Sequence, residues 1–355
     1  MDRPERLRRD AGVQHDSFLL TKLRNVGDVL LTTPALRALR RTYPRAHITM
    51  VVRDGNEEIL LHNPHIDRVL VWDRTQLRQR SSSRRLNYQW EFFKQLRDRR
   101  YDTAVDFASG DRAVILGWLA GASCRIGLAA PDAFRRFVLT KPVRIPGGLH
   151  TVDMFLSLLK EGLGVEANGR APELHLGRED EEFARRCLER HQLVGQRLAF
   201  IHIGASNTTK LWPLDRWAAV ADALQTARGL RVIFTGLKQE AEATRYVCSQ
   251  MKSAALSLAG QTSVLQLAAL LAKATLFIGN DSGPMHLAAA MGTRVVGLFG
   301  ATDPVQWRPV CAHHVVVRAD RADELPGPEA MSAISVQATL EAVDQILGHG
   351  PKNVV

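Results

Sequence analysis

Short apolar runs and amphipathic stretches alternate along the chain in two successive series. In the first series, residues 17–23 form an apolar run, residues 30–41 repeat apolar positions at helical spacing, and residues 47–53 form another apolar run. A buried strand, a helix and a second buried strand are typical of the opening of a parallel α/β sheet. The same patterns predict strands at residues 69–72 and 104–107 and a helix over residues 89–100.

The second series follows a helix that is predicted over residues 179–191. Its predicted strands are residues 198–203, 231–235, 275–278 and 295–299, and its predicted helices are residues 214–227, 240–251, 264–272, 285–291 and 336–347. Two separate βα series predict an α/β protein with two Rossmann-like domains that face a central cleft. We expect a flexible leader at residues 1–16, domains at residues 17–180 and 181–335, and a C-terminal helix and tail at residues 336–355.

The composition narrows the class of protein. A chain of 355 residues that is 45% hydrophobic and 24% charged is long enough for two globular domains. No apolar run reaches the roughly 18–20 residues that a membrane-spanning helix needs, and the polar N-terminus has no apolar core of a secretory signal. The four cysteines lie far apart, which predicts reduced thiols rather than a disulfide framework or a zinc site.

Positive charge is concentrated in the first half of the chain. Residues 1–175 contain 29 lysines and arginines against 20 aspartates and glutamates, whereas residues 176–355 contain 18 against 17. This asymmetry favours an anionic partner, although a solvated basic surface would give the same counts. Residues 74–85, which include five arginines, are predicted to form an exposed basic loop. No recognition helix, zinc finger or RNP-type motif accompanies the charge, so nucleic acid is not the expected partner.

The first candidate site is the sequence RNVGD at residues 24–28. A glycine between a strand and a helix allows a tight turn, which places Asp28 at the carboxyl edge of the sheet, where α/β proteins bind ligands. Asp28 could cap the helix, or it could serve as a general base that deprotonates a hydroxyl. The motif GxGxxG is absent, which argues against a dinucleotide site.

Two further candidate sites follow strands of the second series. The loop GASNTTKLWP at residues 204–213 offers hydroxyl groups, backbone N–H groups and the positive charge of Lys210, which suit phosphate oxygens. In IGNDSGPMH at residues 278–286, Ser282 and Gly283 would place N–H donors at a helix N-terminus, which favours a pyrophosphate, and Asp281 could hold a sugar hydroxyl. Glu240 follows another strand, where it could bind ribose hydroxyls or lie as a solvated glutamate at a helix start.

Together these motifs resemble glycosyltransferase family 9, the ADP-heptose:lipopolysaccharide heptosyltransferases. The sequence NVGD with LLTTPALRALRRTYPRAHI resembles the N-terminal signature of this family. SNTTKLWP, TGLKQE, LAGQTSVLQLAALLAKA and GNDSGPMHLAAAMGTRVVGLFGATDP resemble its donor-binding half. The resemblance extends from about residue 17 to residue 310, and the last stretch is the most specific.

The resemblance implies the GT-B fold and an inverting transfer of heptose from ADP-L-glycero-β-D-manno-heptose to a lipopolysaccharide core hydroxyl, without a metal or other cofactor. It implies that Asp28 is the catalytic base and that Lys210 stabilises the departing ADP. The implied donor contacts are Ser206, Asn207, Lys210, Glu240, Asp281, Ser282 and Gly283, and the expected acceptor contacts are Arg24, Asn25, Arg78 and Arg84. Thr208 or Thr209 could replace Ser206 and Asn207, because the loop is shorter than in the heptosyltransferase I type.

The resemblance also implies partners and a location. We expect a nucleotide-sugar donor, an anionic lipopolysaccharide core acceptor, and a cytoplasmic protein that is peripheral on the inner membrane. A hydrolysing sugar-nucleotide epimerase and a non-catalytic sugar-nucleotide or glycan-binding protein are the alternatives on the same scaffold. The acceptor sugar and the oligomeric state are left open by the sequence.

Overall fold

The computed structural model describes residues 15–73, 82–108, 110–130 and 133–348. The chain divides between Arg170 and Ala171 into two units, and each unit has its own sheet. The helix Arg178–Arg190 lies wholly within unit 2, whereas the boundary drawn from the sequence at residue 180 falls inside this helix.

Unit 1 is built on a six-stranded sheet in which all neighbouring strands are parallel. Its strands are β1 (Ser17–Lys22), β2 (His47–Arg53), β3 (Arg68–Trp72), β4 (Thr103–Asp106), β5 (Cys124–Leu128) and β6 (Lys141–Val143). Their order in the sheet is β3-β2-β1-β4-β5-β6. In a doubly wound sheet of this order, the topological switch point lies between β1 and β4, and ligands bind beyond the carboxyl ends of these strands.

The described helices of unit 1 are α1 (Val26–Leu30), α2 (Thr33–Thr42), α3 (Ser82–Arg97), α4 (Asp111–Leu119), α5 (Ala133–Val138) and α6 (Thr151–Leu163), with a 3-10 turn at Glu57–Leu60. The helix predicted over residues 30–41 corresponds to α2, which begins later, at Thr33, and residue 30 instead ends the short helix α1. The Thr32 and Thr33 hydroxyls donate to the carbonyls of Val29 and Leu30 at 2.7 and 2.8 Å. Pro34 has no N–H with which to continue the first helix, so a second one begins.

The helix predicted over residues 89–100 begins earlier, at Ser82. Residues 82–85 are thus helical, and the prediction that they belong to an exposed loop is wrong. The physical reason is that arginine and leucine favour helices, so the basic sequence RRL extends the helix toward the N-terminus. The remainder of the predicted loop, residues 74–81, lies outside the described residues.

Unit 2 repeats the topology of unit 1. Its strands are β7 (Leu198–His202), β8 (Arg231–Thr235), β9 (Leu256–Ser257), β10 (Leu276–Asn280), β11 (Arg294–Phe299) and β12 (His314–Arg318). All neighbours are parallel, and the order β12-β11-β10-β7-β8-β9 places the switch point between β7 and β10. The loops after β7 and β10 are those in which the sequence predicts donor contacts.

The described helices of unit 2 are α7 (Arg178–Arg190), α8 (Leu214–Arg228), α9 (Ala241–Gln250), α10 (Val264–Leu271), α11 (Gly283–Ala290), α12 (Pro304–Trp307), α13 (Gly327–Ser332) and α14 (Val336–Leu347), with 3-10 turns at Thr208–Lys210 and Lys238–Glu240. The C-terminal helix α14 packs on β11, β12 and α8. Arg228 holds this helix in place, because its Nε and Nη2 donate to the Asp344 carboxylate at 2.7 and 2.6 Å.

The cores explain why the strands read as unbroken apolar runs in the sequence. Every residue of β1 and of β7 is buried, as expected of central strands covered on both faces. In unit 2, Trp212 and Trp217 are fully buried and pack edge to face, with their ring centres 4.9 Å apart.

All four cysteines are free, and Cys124 and Cys187 are buried. Among the described residues, no helix has the length and apolarity that crossing a membrane requires.

Candidate active site

Asp28 lies at the carboxyl edge of the unit 1 sheet, in the first turn of α1, just after β1. Its Oδ1 is 3.2 Å from Lys22 Nζ, and these side chains are 14% and 5% exposed. The N-cap residue of α1 is Asn25, so the alternative in which Asp28 caps the helix is wrong. The contact with Lys22 holds the Asp28 carboxyl group at the sheet edge, where a carboxylate could take a proton from a hydroxyl.

Lys22 is a buried lysine that the sequence analysis did not single out. Its Nζ donates a hydrogen bond to the carbonyl of Phe107 at 3.0 Å and lies 4.5 Å from the centre of the Phe155 ring. Burial lowers the pKa of Lys22, and the charge of Asp28 opposes this effect. The signal available in the sequence was a charged residue at the end of an otherwise apolar strand, SFLLTK.

A second buried ion pair lies at the ends of β4 and β5. Asp106 is 3% exposed, and its Oδ2 accepts a hydrogen bond from Arg135 Nη2 at 3.4 Å, while its Oδ1 accepts one from the N–H of Ala108 at 2.7 Å. Burial raises the pKa of Asp106 to about 6, although the Ala108 hydrogen bond and the Arg135 charge act in the opposite direction. No sequence motif marks this pair, because it depends on the strand order.

The predicted acceptor contacts of unit 1 differ in how they are placed. Arg24 and Asn25 are exposed at the turn between β1 and α1, and the carbonyl of Arg24 accepts a hydrogen bond from Asn56 Nδ2. Arg78 lies outside the described residues, as does the side chain of Arg84, whose backbone is helical in α3. Arg24 and Asn25 therefore lie exposed in the turn that leads to Asp28, and all four acceptor contacts stay predictions.

In unit 2, the predicted phosphate loop follows β7. Ser206 and Asn207 are exposed, and Asn207 Oδ1 accepts a hydrogen bond from the N–H of Thr209 at 3.1 Å. Asn207 therefore caps the 3-10 turn Thr208–Lys210. The turn places Lys210 at its end, where the side chain is 28% exposed.

Lys210 forms an ion pair with Asp281, although the sequence motifs predict the two residues as separate donor contacts. Lys210 Nζ is 2.6 Å from Asp281 Oδ2, and the Asp281 side chain is only 5% exposed. The N–H of Asp281 also donates to the carbonyl of Leu298 at 3.1 Å, so the loop after β10 is fixed against β11. The ion pair bridges the two loops at the switch point and fixes the Lys210 ammonium group at the sheet edge.

The residues beside this ion pair offer unused polar groups. Ser282 is the N-cap residue of α11, and its buried Oγ has no hydrogen-bond partner within the described part of the chain. Asn280 Nδ2 donates to the carbonyl of Ile203 at 2.8 Å, which ties β10 to the end of β7. The Gly283 N–H begins α11, where the partial positive charge of a helix N-terminus favours an anionic group.

Glu240 is the last residue of the 3-10 turn after β8 and the N-cap residue of α9, so it lies at the start of the predicted helix. Its Oε2 accepts a hydrogen bond from the N–H of Leu237 at 2.7 Å. A Cβ atom built on Gly204 would lie 1.8 Å from Glu240 Oε1, so only glycine leaves room for this carboxylate. The side chain is 19% exposed, which contradicts the alternative of a freely solvated glutamate.

His202, at the end of β7, lies beneath Glu240. Its Nε2 is 4.0 Å from Glu240 Oε2, and its Nδ1 is 3.4 Å from Thr235 Oγ1. Burial lowers the pKa of His202, while the charge of Glu240 acts against this effect. The pair gives the carboxylate a fixed place at the sheet edge.

Taken by themselves, the two units offer complementary chemistry. Unit 1 holds a carboxylate beside an ammonium group at its switch point, which suits proton removal from a hydroxyl. Unit 2 holds a lysine, a helix N-terminus and an acid at its switch point, which suits a diphosphate attached to a ribose. In the described ranges, no group of three or more His, Cys, Asp or Glu side chains is placed to hold a metal ion.

Comparison with known families and relatives gives a consistent result. The model of the family described as glycosyltransferase family 9 (heptosyltransferase) matches residues 89–331. Lipopolysaccharide heptosyltransferase 3 of Escherichia coli is 31% identical over 334 residues, which cover 90% of this chain and 96% of that protein.

Solved structures agree with this comparison. The family 9 glycosyl transferase of Veillonella parvula DSM 2008 has a TM-score of 0.82 at 26% identity, covering 95% of this chain and 99% of that chain. The E. coli heptosyltransferase WaaC with ADP-2-deoxy-2-fluoro heptose has a TM-score of 0.73 at 20% identity, covering 93% and 99%. At that identity, the likeness to WaaC concerns the fold.

Proposed function

This chain belongs to glycosyltransferase family 9 and is a glycosyltransferase of the GT-B fold, and on this premise we propose that it transfers heptose from ADP-L-glycero-β-D-manno-heptose to a hydroxyl of the lipopolysaccharide core. The E. coli relative at 31% identity is a lipopolysaccharide heptosyltransferase, which supports both the sugar and the class of acceptor. The heptosyltransferase solved with an ADP-heptose analogue supports an adenosine diphosphate donor.

The observation that carries the proposal is the ion pair of Lys210 with Asp281, 2.6 Å apart beside the N-terminus of α11. Pyrophosphate oxygens would accept hydrogen bonds from the Ser282 hydroxyl and the Gly283 N–H, and would share Lys210 with Asp281. Ser206 and Asn207 lie exposed on the neighbouring loop and would complete the phosphate contacts. Asp281 would then face the sugar, where its carboxylate would accept a hydrogen bond from a hydroxyl group.

Glu240 is proposed to bind the ribose. Its Oε2 is held by the Leu237 N–H, while Oε1 lies over Gly204 at the end of β7. A carboxylate can accept hydrogen bonds from two neighbouring hydroxyls, which is the arrangement that a ribose presents. This placement supports a nucleotide donor rather than a free sugar phosphate.

The proposed reaction is a direct displacement with inversion at the anomeric carbon. Asp28 takes the proton of the acceptor hydroxyl, and the acceptor oxygen forms a bond to the anomeric carbon. The bond between that carbon and the phosphate oxygen breaks, and its electron pair leaves with ADP. Lys210 and the N–H groups at the start of α11 stabilise the negative charge that develops on ADP, so we propose that the transfer needs no metal ion.

The acceptor is proposed to be anionic and to approach unit 1. Residues 1–175 carry the positive excess of the chain, and Arg24 and Asn25 are exposed next to Asp28. Arg78 and Arg84 remain proposed contacts from the basic segment before and within α3. The protein is proposed to act in the cytoplasm, peripherally on the inner membrane in which the lipid part of the acceptor is embedded.

Calorimetric titration in the presence of EDTA tests the donor class. We expect binding of ADP and of a non-hydrolysable ADP-heptose analogue, with at least about tenfold weaker binding of UDP- and GDP-sugars. Preference for a UDP-sugar would contradict the heptose donor. Hydrolysis of the donor with epimerisation of the sugar, without an acceptor, would favour the epimerase alternative instead.

A further inference from the structure

Helix α5 turns its aromatic side chains outward. Phe137 is 78% exposed and Phe134 is 42% exposed, whereas Arg135 and Val138 of the same helix are buried. Hydrophobic residues normally occupy the inner face of a surface helix; in α5, Val138 does so, but both phenylalanines face outward. Contiguous apolar groups at a surface mark an interaction site more often than scattered single residues do.

The neighbouring helix α4 extends the apolar area. Val114 of α4 forms a small buried cluster with Val138 and Leu139 at the end of α5. Trp118 lies one turn beyond Val114 on the same face of α4, and it is 52% exposed. Three large aromatic side chains therefore project from two helices that pack against each other.

Basic residues outnumber acidic ones in the segment that contains α5 and β6. Between Asp132 and Asp153, the chain contains four arginines or lysines and no carboxylate. Arg136 is exposed between the two phenylalanines, and Arg144 is exposed just after β6. Exposed aromatic rings together with cationic side chains favour the interface of an anionic lipid bilayer, where rings lie at headgroup depth and cations meet lipid phosphates.

The position of α5 connects this surface to the candidate base. Arg135 Nη2 donates to the carbonyl of Leu128, the last residue of β5, at 3.1 Å and to the Asp106 carboxylate, at the end of β4, at 3.4 Å. Asp28 follows the end of β1, the strand paired with β4 in the same parallel sheet. Helix α5 and Asp28 therefore share the carboxyl edge of the unit 1 sheet.

From these observations we infer that the outer face of α5, formed by Phe134, Arg136 and Phe137 with Trp118 beside it, docks on the anionic lipid bilayer that carries the acceptor. The inference rests on the proposed function, because only a lipid-linked acceptor needs the sheet edge with Asp28 to lie against a membrane. The phenyl rings enter the interfacial region, and Arg136 and Arg144 contact lipid phosphates. The acceptor sugar is thereby presented to Asp28 while its lipid stays in the bilayer.

Vesicle binding tests the inference without any sugar substrate. The full chain is sedimented with vesicles of phosphatidylethanolamine and phosphatidylglycerol, and separately with vesicles of phosphatidylcholine alone. We expect wild-type protein to bind the anionic vesicles, and the Phe134→Ser/Phe137→Ser double variant to have an at least about tenfold lower partition coefficient. Tyr246→Ser is the matched control, since Tyr246 is 51% exposed on α9 of unit 2.

Two further variants separate the contributions of ring and charge. Phe134→Trp/Phe137→Trp keeps interfacial aromatics and should bind as well as wild type, which shows that aromatic rings at these two positions are sufficient for binding. Arg136→Glu should weaken binding to anionic vesicles, and increasing salt should reduce binding of the wild type. Equal binding by wild type and the serine variant, or no binding of wild type to anionic vesicles, would overturn the inference.

A second copy of this chain is the alternative binding partner for the apolar face of α5. If wild type self-associates, the serine variant does not, and vesicle binding is unchanged, the apolar face belongs to a contact between two copies of the chain, and the lipid inference is overturned.

Turnover of ADP-heptose with a delipidated core oligosaccharide should be the same in wild type and the serine variant. If wild type transfers no heptose in that assay, the proposed function is contradicted. The vesicle-binding experiment still decides whether α5 docks on the bilayer, because it uses no sugar substrate.

Discussion

Lys22 Nζ lies 3.2 Å from Asp28 Oδ1, and the same ammonium group donates a hydrogen bond to the carbonyl of Phe107 at 3.0 Å. These two contacts connect the turn after β1 to the end of β4, across the switch point of the unit 1 sheet. Lys22 is therefore a positioning residue for the proposed base, because its contact fixes the direction of the Asp28 carboxylate.

Replacing Lys22 with methionine should lower kcat by at least about tenfold, because the Asp28 carboxylate loses the contact that holds it in place for proton removal. The KM for the donor should stay the same, because the donor is proposed to bind unit 2. The measurement is kcat and the donor KM, with Lys94→Met as a control because Lys94 is exposed on α3. An unchanged kcat would remove Lys22 from the mechanism.

The pKa of Asp106 gives a prediction about stability. Burial raises this pKa from 3.8 to about 6, so between these values the folded protein binds more protons than the unfolded chain. The contribution of Asp106 is present at low pH and is lost as the pH rises from about 4 to about 6, by as much as about 3 kcal/mol.

Urea unfolding between pH 4.5 and 6.5 measures this contribution. In Asp106→Asn the group no longer titrates, so the free energy of unfolding should fall less steeply with rising pH than in wild type. The comparison concerns the slope, because Asp106→Asn also changes the hydrogen bonds of this side chain with Arg135 and with the N–H of Ala108, which shifts the stability of the variant at every pH. Asp98→Asn, at an exposed position, should keep the wild-type slope. Parallel curves for wild type and Asp106→Asn would contradict the raised pKa.

Lys210→Ala should lower kcat by at least about 10²-fold, because the charge on departing ADP loses its preorganised positive partner. Asp281 would also lose its ion-pair partner at 2.6 Å, so Lys210→Arg is the companion variant that keeps a positive charge at this position. Single-turnover kinetics with saturating donor give the rate of transfer. Wild-type turnover by Lys210→Ala would exclude this residue from stabilising the leaving group.

Gly204→Ala should weaken ADP binding by at least about tenfold, because the added methyl group would displace the Glu240 carboxylate from the position proposed for ribose binding. Gly147→Ala is the matched control, since a Cβ atom there meets no other atom within 4 Å. Calorimetric titration with ADP distinguishes the two variants. If Gly204→Ala binds ADP as wild type does, Glu240 does not contact the ribose.

Much of the fold could be predicted from the sequence, because central strands that are buried on both faces produce apolar runs. Residues 47–53, 231–235 and 336–347 were predicted with the bounds that the structure gives. The edge strands β6 and β9 were missed, since two or three residues give no periodic pattern. Strand β5 was missed because its sequence, CRIGL, contains an arginine and a glycine.

The candidate site was predictable only in part. The motifs identified Lys210 and Asp281 separately, but their ion pair joins residues 71 positions apart and depends on the adjacency of β7 and β10. Lys22 and the pair of Asp106 with Arg135 carry no motif, and they meet only because β1, β4 and β5 are neighbours in the sheet. Strand order is a property of the whole chain, which local patterns do not encode.

The central claim is the transfer of heptose from an ADP donor to a lipopolysaccharide core hydroxyl with Asp28 as base. The most direct measurement incubates wild type and Asp28→Asn with ADP-L-glycero-β-D-manno-heptose and heptose-deficient core oligosaccharide in EDTA, and follows the product by mass spectrometry and NMR. We predict one added heptose with inverted anomeric configuration for wild type, and no product for Asp28→Asn, which should still bind ADP as wild type does. Absence of transfer by wild type, retention of configuration, or wild-type turnover by Asp28→Asn would contradict the account.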